Sequence, residues 1–178
     1  MSRRMILTAG FASALAILLG TAPIPAARPQ TPQTYLSPEE AAKIRDDQDP
    51  SDRIKLYLAI AEDRLQKFDY ELNRSVPERD RSDVLNGLLH AYEDSIDDAD
   101  DEIDDARYQQ ADIKAALKIM DQKGKTFLAR LQKYSKNGKY LSDYSDTLQD
   151  AIDSTTDALS DVTDAQKDML PAVVRRKK

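Results

Sequence analysis

Cysteine and tryptophan are absent from this chain of 178 residues, histidine occurs once and glycine only five times. Without cysteine there is no disulfide, no thiolate metal site, no Cys nucleophile and no lipid-modified N-terminal Cys. A fold in an oxidising compartment then has to rest on its core. His90, the one histidine, falls on the outward side of its helix, with no His, Cys or Glu constellation to make it a ligand or a base. A Gly-rich phosphate loop, a nucleophile elbow and a His-Glu-x-x-His helix are also missing. A non-enzymatic protein without a cofactor is therefore expected. No proline occurs between Pro77 and Pro171, and no alternating apolar and polar run reaches useful strand length. The reading is all-α.

Acidic residues outnumber basic ones by 32 to 26, a formal net charge of −6. Two of the basic residues, Arg3 and Arg4, lie in an N-terminal segment that reads as removable, which would leave 24 against 32, or −8. Free nucleic acid is not an expected partner of so acidic a protein.

Residues 1–27 have the order of an export signal. Arg3 and Arg4 open it, Met5 to Leu19 form the apolar run, and Gly20, Ala22, Ala26 and Ala27 supply small residues, with cleavage expected after Ala26 or Ala27. Ser2-Arg3-Arg4-Met5-Ile6-Leu7 resembles a twin-arginine signal, with Ile6 and Thr8 in place of that signal's Phe and Lys. The apolar run is broken by Thr8, Gly10 and Ser13 and is short for a membrane span, and no other candidate span follows. The expected location is periplasmic or secreted, with no integral membrane segment after signal removal.

Residues 28–36 then read as a polar linker with prolines at 29 and 32. The sequence from 37 to 170 carries the helical signals. Ser37-Pro38-Glu39-Glu40 sets up a capping box for a short helix ending near Gln48, and Asp49-Pro50 restarts the chain by the same logic. A long helix is expected from about Pro50 to Asn73, with Ile54, Leu58, Ala61, Leu65, Phe68 and Leu72 on one stripe and Tyr57 and Leu56 broadening it. Ser75 with Glu78 is placed to cap the next helix, near Glu78 to Ala106, whose seam is Leu85, Leu89, Tyr92, Ile96, Ala99, Ile103 and Ala106. Asn86-Gly87 interrupts it, since glycine inside a helix costs about 1 kcal/mol relative to alanine.

The stretch from Ala111 to Lys136 has its seam at Ile113, Leu117, Met120, Gly124, Phe127, Leu131 and Tyr134. It is also the basic part of the chain: from Arg107 to Lys139 nine basic residues meet two acidic ones, a net of +7. Asn137-Gly138 reads as a left-handed C-cap. The last helix, Leu141 to Met169, should carry its seam on Leu141, Tyr144, Leu148, Ile152, Thr155, Leu159, Val162 and Met169, before Pro171 and a basic tail over 171–178. Four comparable helices with short turns point to an up-down-up-down antiparallel four-helix bundle with coiled-coil-like heptad seams. In that topology the basic helix should touch both acidic ones.

Two acidic features remain as candidate sites. From Glu93 to Asp105 nine of thirteen residues are acidic, and on the last helix Asp143, Asp146, Asp150, Asp153, Asp157, Asp161, Asp164 and Asp168 form a row opposite the seam. Asp97, Asp101 and Asp105, with Asp150, Asp153 and Asp157, are the candidate cation ligands, because hard divalent cations take carboxylate oxygens. The spacing of four between Asp97 and Asp101 is similar to the Asp-x-x-x-Asp clusters of PhoU-type helical metal-binding bundles, and no other feature of that family is visible. One outward row does not converge on an ion, so a solvated face is the simpler expectation. Tyr70, Tyr134, Tyr140 and Tyr144 gather at one end and could line a recognition patch. The function expected is that of an exported, soluble interaction or structural protein of the cell envelope. Its partner would be a protein or envelope component, or a second copy through the heptad seams. The competing expectation is an acidic bundle that binds divalent cations or a cationic ligand.

Overall fold

The computed structural model describes residues 35–75 and 79–168. The segment expected to be an export signal, most of the expected linker, Pro77, Glu78, Met169 and residues 171–178 lie outside the described residues. Among the described residues there are five helices, α1 (Pro38–Asp46), α2 (Pro50–Asn73), α3 (Arg81–Tyr108), α4 (Lys114–Asn137) and α5 (Ser145–Asp168), with a 3-10 turn at Leu141–Asp143. No strand occurs among the described residues. The helix starts follow local chemistry. The Ser37 hydroxyl accepts from the Glu40 amide at 3.2 Å while Glu40 accepts from the Ser37 amide at 2.8 Å, closing the capping box of α1. Asp49 accepts from the Ser51 amide at 2.8 Å and Pro50 occupies the first turn of α2. Helix α3 begins without a side-chain cap and passes straight through Gly87.

The stripes expected of α2, α3 and α4 are buried at every position. The buried line of α5 runs from Tyr144, just before the helix, through Leu148, Ala151, Thr155, Ala158, Val162 and Ala165 at alternating steps of four and three, with Thr147 buried beside it, whereas Leu141, Ile152 and Leu159 are only half-buried. Large side chains had drawn the expected seam to one side. The small residues Ala151, Ala158 and Ala165 mark its true line, because a helix approaches closely where side chains are short. Gly124 of α4 shows the same closeness: a Cβ there would lie 2.9 Å from the Leu159 side chain of α5.

Helix α3 packs on α2 and α5, and α4 packs on α5 and α2. The two acidic helices are therefore in contact with each other, and the basic helix does not lie between them. Ser82 and Asn86 donate to the Asp143 carbonyl, Ser154 donates to Asp97 and Arg107 to Asp168, so α3 and α5 run in the same direction. Ser51 donates to the Asp112 carbonyl, Lys123 pairs with Glu62 and Arg130 with Asp69, so α2 and α4 also run alike. Apolar burial explains why charge did not choose the neighbours. Exposed ion pairs contribute about 0.2–1 kcal/mol each, against roughly 1.5–3 kcal/mol for a fully buried large aliphatic side chain. The hydroxyl of Tyr92, wholly buried on α3, shares a 2.7 Å hydrogen bond with Thr155 of α5, and its ring stands edge-on to Phe127 of α4.

One stop differs from expectation. Gly138 is extended, with φ −67°, and the left-handed residue is Tyr140, with φ 55°. Gly138 is required by proximity instead: a Cβ there would collide with the Tyr144 hydroxyl and the Tyr134 carbonyl.

Candidate functional site

Packing α3 beside α5 brings both acidic rows to one side of the bundle. Each side chain of the α5 row, from Asp146 to Asp168, is exposed, as is Asp143 before it. Asp97, Asp101 and Asp105 are exposed on α3, and Asp150, Asp153 and Asp157 on α5. Of these six, Asp97 accepts from the Ser154 hydroxyl of α5 at 2.6 Å, and Asp153 accepts from Gln149 at 2.8 Å. Among the described residues no three His, Cys, Asp or Glu side chains are grouped to hold a metal ion.

The more perturbed carboxyls are others of α3, which the sequence pattern did not single out. Asp100 is half-buried with its Oδ1 shielded from solvent and without a hydrogen-bond partner. Burial first, then the facing Asp161 of α5 and the neighbouring Asp104, push its carboxyl up to about 7. Burial also raises Glu93, which feels Asp97 and Asp150, and Asp94, which feels Asp97. Asp98 is raised by burial despite the hydroxyl of Tyr35, and Glu102 by burial despite Arg53 at 2.5 Å. Asp100 and Glu93 thus meet carboxyls of α5, whereas Asp98 and Glu102 meet Tyr35 and the Arg53 guanidinium of α2. His90 is exposed, 3.5 Å from Glu93.

On the other side, α4 is held to α2 by charge-assisted bonds. Arg130 donates to Asp69, to the Leu65 carbonyl at 2.9 Å and to the Tyr134 hydroxyl at 2.8 Å, and Tyr134 donates in turn to Asp69. The tyrosine group divides. Tyr134 and Tyr144 are buried, each with its ring centroid 5.1 Å from Phe68, so they belong to the core. Tyr70 and Tyr140 are exposed, with Arg81 stacked 4.7 Å from the Tyr140 ring. Shallow depressions at Lys43, Asp46 and Leu56, and at Arg107, Asp112 and Asp168, are lined mainly by polar and charged groups. Among the described residues no helix is long and apolar enough to cross a membrane.

Comparison with protein-family models, with curated proteins and with solved structures returns no match to this chain.

Proposed function

We propose that this chain is exported and acts, without enzymatic activity, as an interaction or structural protein of the cell envelope, periplasmic or secreted. The observation that supports the reading is the division between seams and faces. The seam side chains of the four long helices close on one another, and what they leave outside is strongly and unevenly charged, acidic on α3 and α5 and basic on α4. Such a surface selects partners by charge and steers their approach. The finer architecture we infer is an up-down-up-down bundle with coiled-coil-like seams.

Two experiments test the reading. Fractionation of cells expressing the full chain, with N-terminal sequencing, should yield a periplasmic or secreted product beginning at Ala27 or Arg28; a cytosolic product that retains Met1 overturns export. A photo-reactive residue placed in turn at Asp157 and at Lys118 should cross-link one discrete partner in the intact envelope. No adduct from either face overturns the interaction role.

The second reading, an acidic bundle for divalent cations or a cationic ligand, is favoured by the contact of α3 with α5, which puts Asp97, Asp101 and Asp105 on the same side as Asp150, Asp153 and Asp157. Thermal melts with Ca²⁺, Mg²⁺ or Zn²⁺ and with chelator at matched ionic strength separate it from the first. A ligand at a hundred times its Kd adds about 2.7 kcal/mol. A raised midpoint for one ion alone supports the cation reading, and equal responses to all of them remove it.

A further inference from the structure

Helix α1 and the two residues before its cap lie on the bundle with much less apolar burial than the rest. The long helices close through apolar seams, whereas α1 has a single buried residue, Ile44. A nine-residue helix is marginal by itself. Tyr35 and Leu36 rest half-buried against the core beside it, and polar bonds fix the segment in place. Arg64 of α2, only 7% exposed, donates to Glu40 at 2.7 Å and to the Tyr35 carbonyl at 3.2 Å. The Tyr35 hydroxyl reaches across to donate to Asp98 of α3, beside Tyr57 and Ser95.

Arg64 also donates to Asp63, its own neighbour on α2, at 2.5 Å. This third bond lets the segment leave without stranding an unpaired guanidinium, which would otherwise be the main cost of opening. Beneath the segment stand Tyr57 and Arg64 on α2 with Ser95 and Asp98 on α3, which supply an aromatic side chain, one cationic anchor and one acceptor. The segment that now covers them defines the occupant they fit.

We propose that residues 35–46 are a detachable clasp over a docking groove between α2 and α3. In exchange for the clasp the groove takes an amphipathic helix that brings a carboxylate to Arg64 and a hydroxyl donor to Asp98. The clasp acts as an internal competitor, and its effective concentration sets the affinity that a partner helix must exceed.

Hydrogen exchange on the full chain tests the first half. Amides of α1 should exchange at least about ten-fold faster than those of α2 from Leu58 to Phe68, through an opening that leaves the bundle folded. Glu40→Ala should speed α1 by a further factor of about three and leave Leu89 to Ile103 unchanged. The second half is read with a labelled synthetic peptide of residues 35–48, added in trans to the full chain carrying Glu40→Ala and Ile44→Ala. Saturable binding, lost when Arg64→Ala is added, is the expected result. Exchange of α1 in step with the bundle overturns the clasp, as does unfolding of the double variant as a whole. A folded double variant that ignores the peptide overturns the groove.

Discussion

Asp100 of α3 faces Asp161 of α5, one carboxyl against another across the joint between the two most acidic helices. Burial and this neighbour raise Asp100 to about 7, and Glu93, Asp94, Asp98 and Glu102 are raised in the same direction. Each holds its proton to higher pH in the folded chain than in the unfolded one. Between the ordinary carboxylate range and about pH 7 the folded state therefore binds more protons, and stability falls as pH rises through that window. Glu40 acts in the opposite sense: its own burial is outweighed by Arg64 and Ser37, its carboxyl is held below the usual range, and its contribution is lost only as pH falls through that lower value. The melting midpoint should thus rise on going from pH 8 to pH 5. Asp100→Asn should stabilise the protein at pH 8 by about 1 kcal/mol, the full shift being discounted for solvent screening at a half-exposed group. For a chain of this size that is about 2–4 °C. The variant should also flatten the pH profile, and a midpoint that falls on mild acidification contradicts the account.

The capping box at Ser37 and Glu40, the restart at Asp49-Pro50 and the stripes of α2, α3 and α4 were all legible in the sequence, because each depends on residues close together in the chain. The choice of neighbours was not. Basic α4 beside acidic α3 would have satisfied the charges, but α5 packs on both α3 and α4 through a buried line that includes Ala151, Ala158 and Ala165. Small residues carry little weight in an apolar pattern and much weight in packing. A periodic signal for α5 did exist: the seam from Leu85 to Ala106 recurs from Tyr144 to Ala165 at the same offset that carries Ile54 to Ile113, Leu58 to Leu117 and Phe68 to Phe127. Ser95 with Ser154, Ala99 with Ala158 and Ala106 with Ala165 are identical under it. Asp100 was not legible for a related reason: burial raises its carboxyl first and Asp161 second, and both follow from a neighbour that the charge pattern assigned elsewhere.

Two glycines in helices should respond in opposite ways. Gly87 is exposed in α3, with no atom within 4 Å of where a Cβ would stand, so Gly87→Ala gains helix propensity without a clash. It should stabilise by roughly 0.5–1 kcal/mol. Gly124 touches Leu159, and alanine there asks only for a small shift of a flexible side chain, but leucine has no room. Gly124→Leu should cost about 1–3 kcal/mol by overpacking. Urea melts of both variants give the two signs, and a stabilised Gly124→Leu would mean that α4 and α5 are further apart than described.

Arg130 should matter more than any exposed lysine of α4. Its guanidinium satisfies Asp69, the Leu65 carbonyl and the Tyr134 hydroxyl together, and its removal leaves the half-buried Asp69 carboxylate with Tyr134 alone among these donors. Arg130→Ala should destabilise by roughly 1.5–3 kcal/mol, in the range of a hydrogen-bonded charged group, whereas Lys118→Ala stays within about 0.5 kcal/mol. A double-mutant cycle of Arg130 with Asp69 should return a coupling above about 0.5 kcal/mol. Additive losses would show that α2 and α4 are joined without this pair.

Seams and faces make the sharpest contrast. Leu117 is 1% exposed and Leu131 wholly buried on α4, so an aspartate at either places a charge where nothing can pair with it. Leu117→Asp together with Leu131→Asp should abolish the cooperative melt, and Leu131→Ala alone should cost roughly 2–5 kcal/mol. Asp150 and Asp157 are exposed on α5 among like charges, so Asp150→Asn with Asp157→Asn should leave the bundle folded and slightly more stable at low salt, the gain fading as salt screens the repulsion. Circular dichroism melts at low and high ionic strength distinguish these cases. Loss of folding in the asparagine pair would mean that the acidic row supports the bundle through contacts of its own.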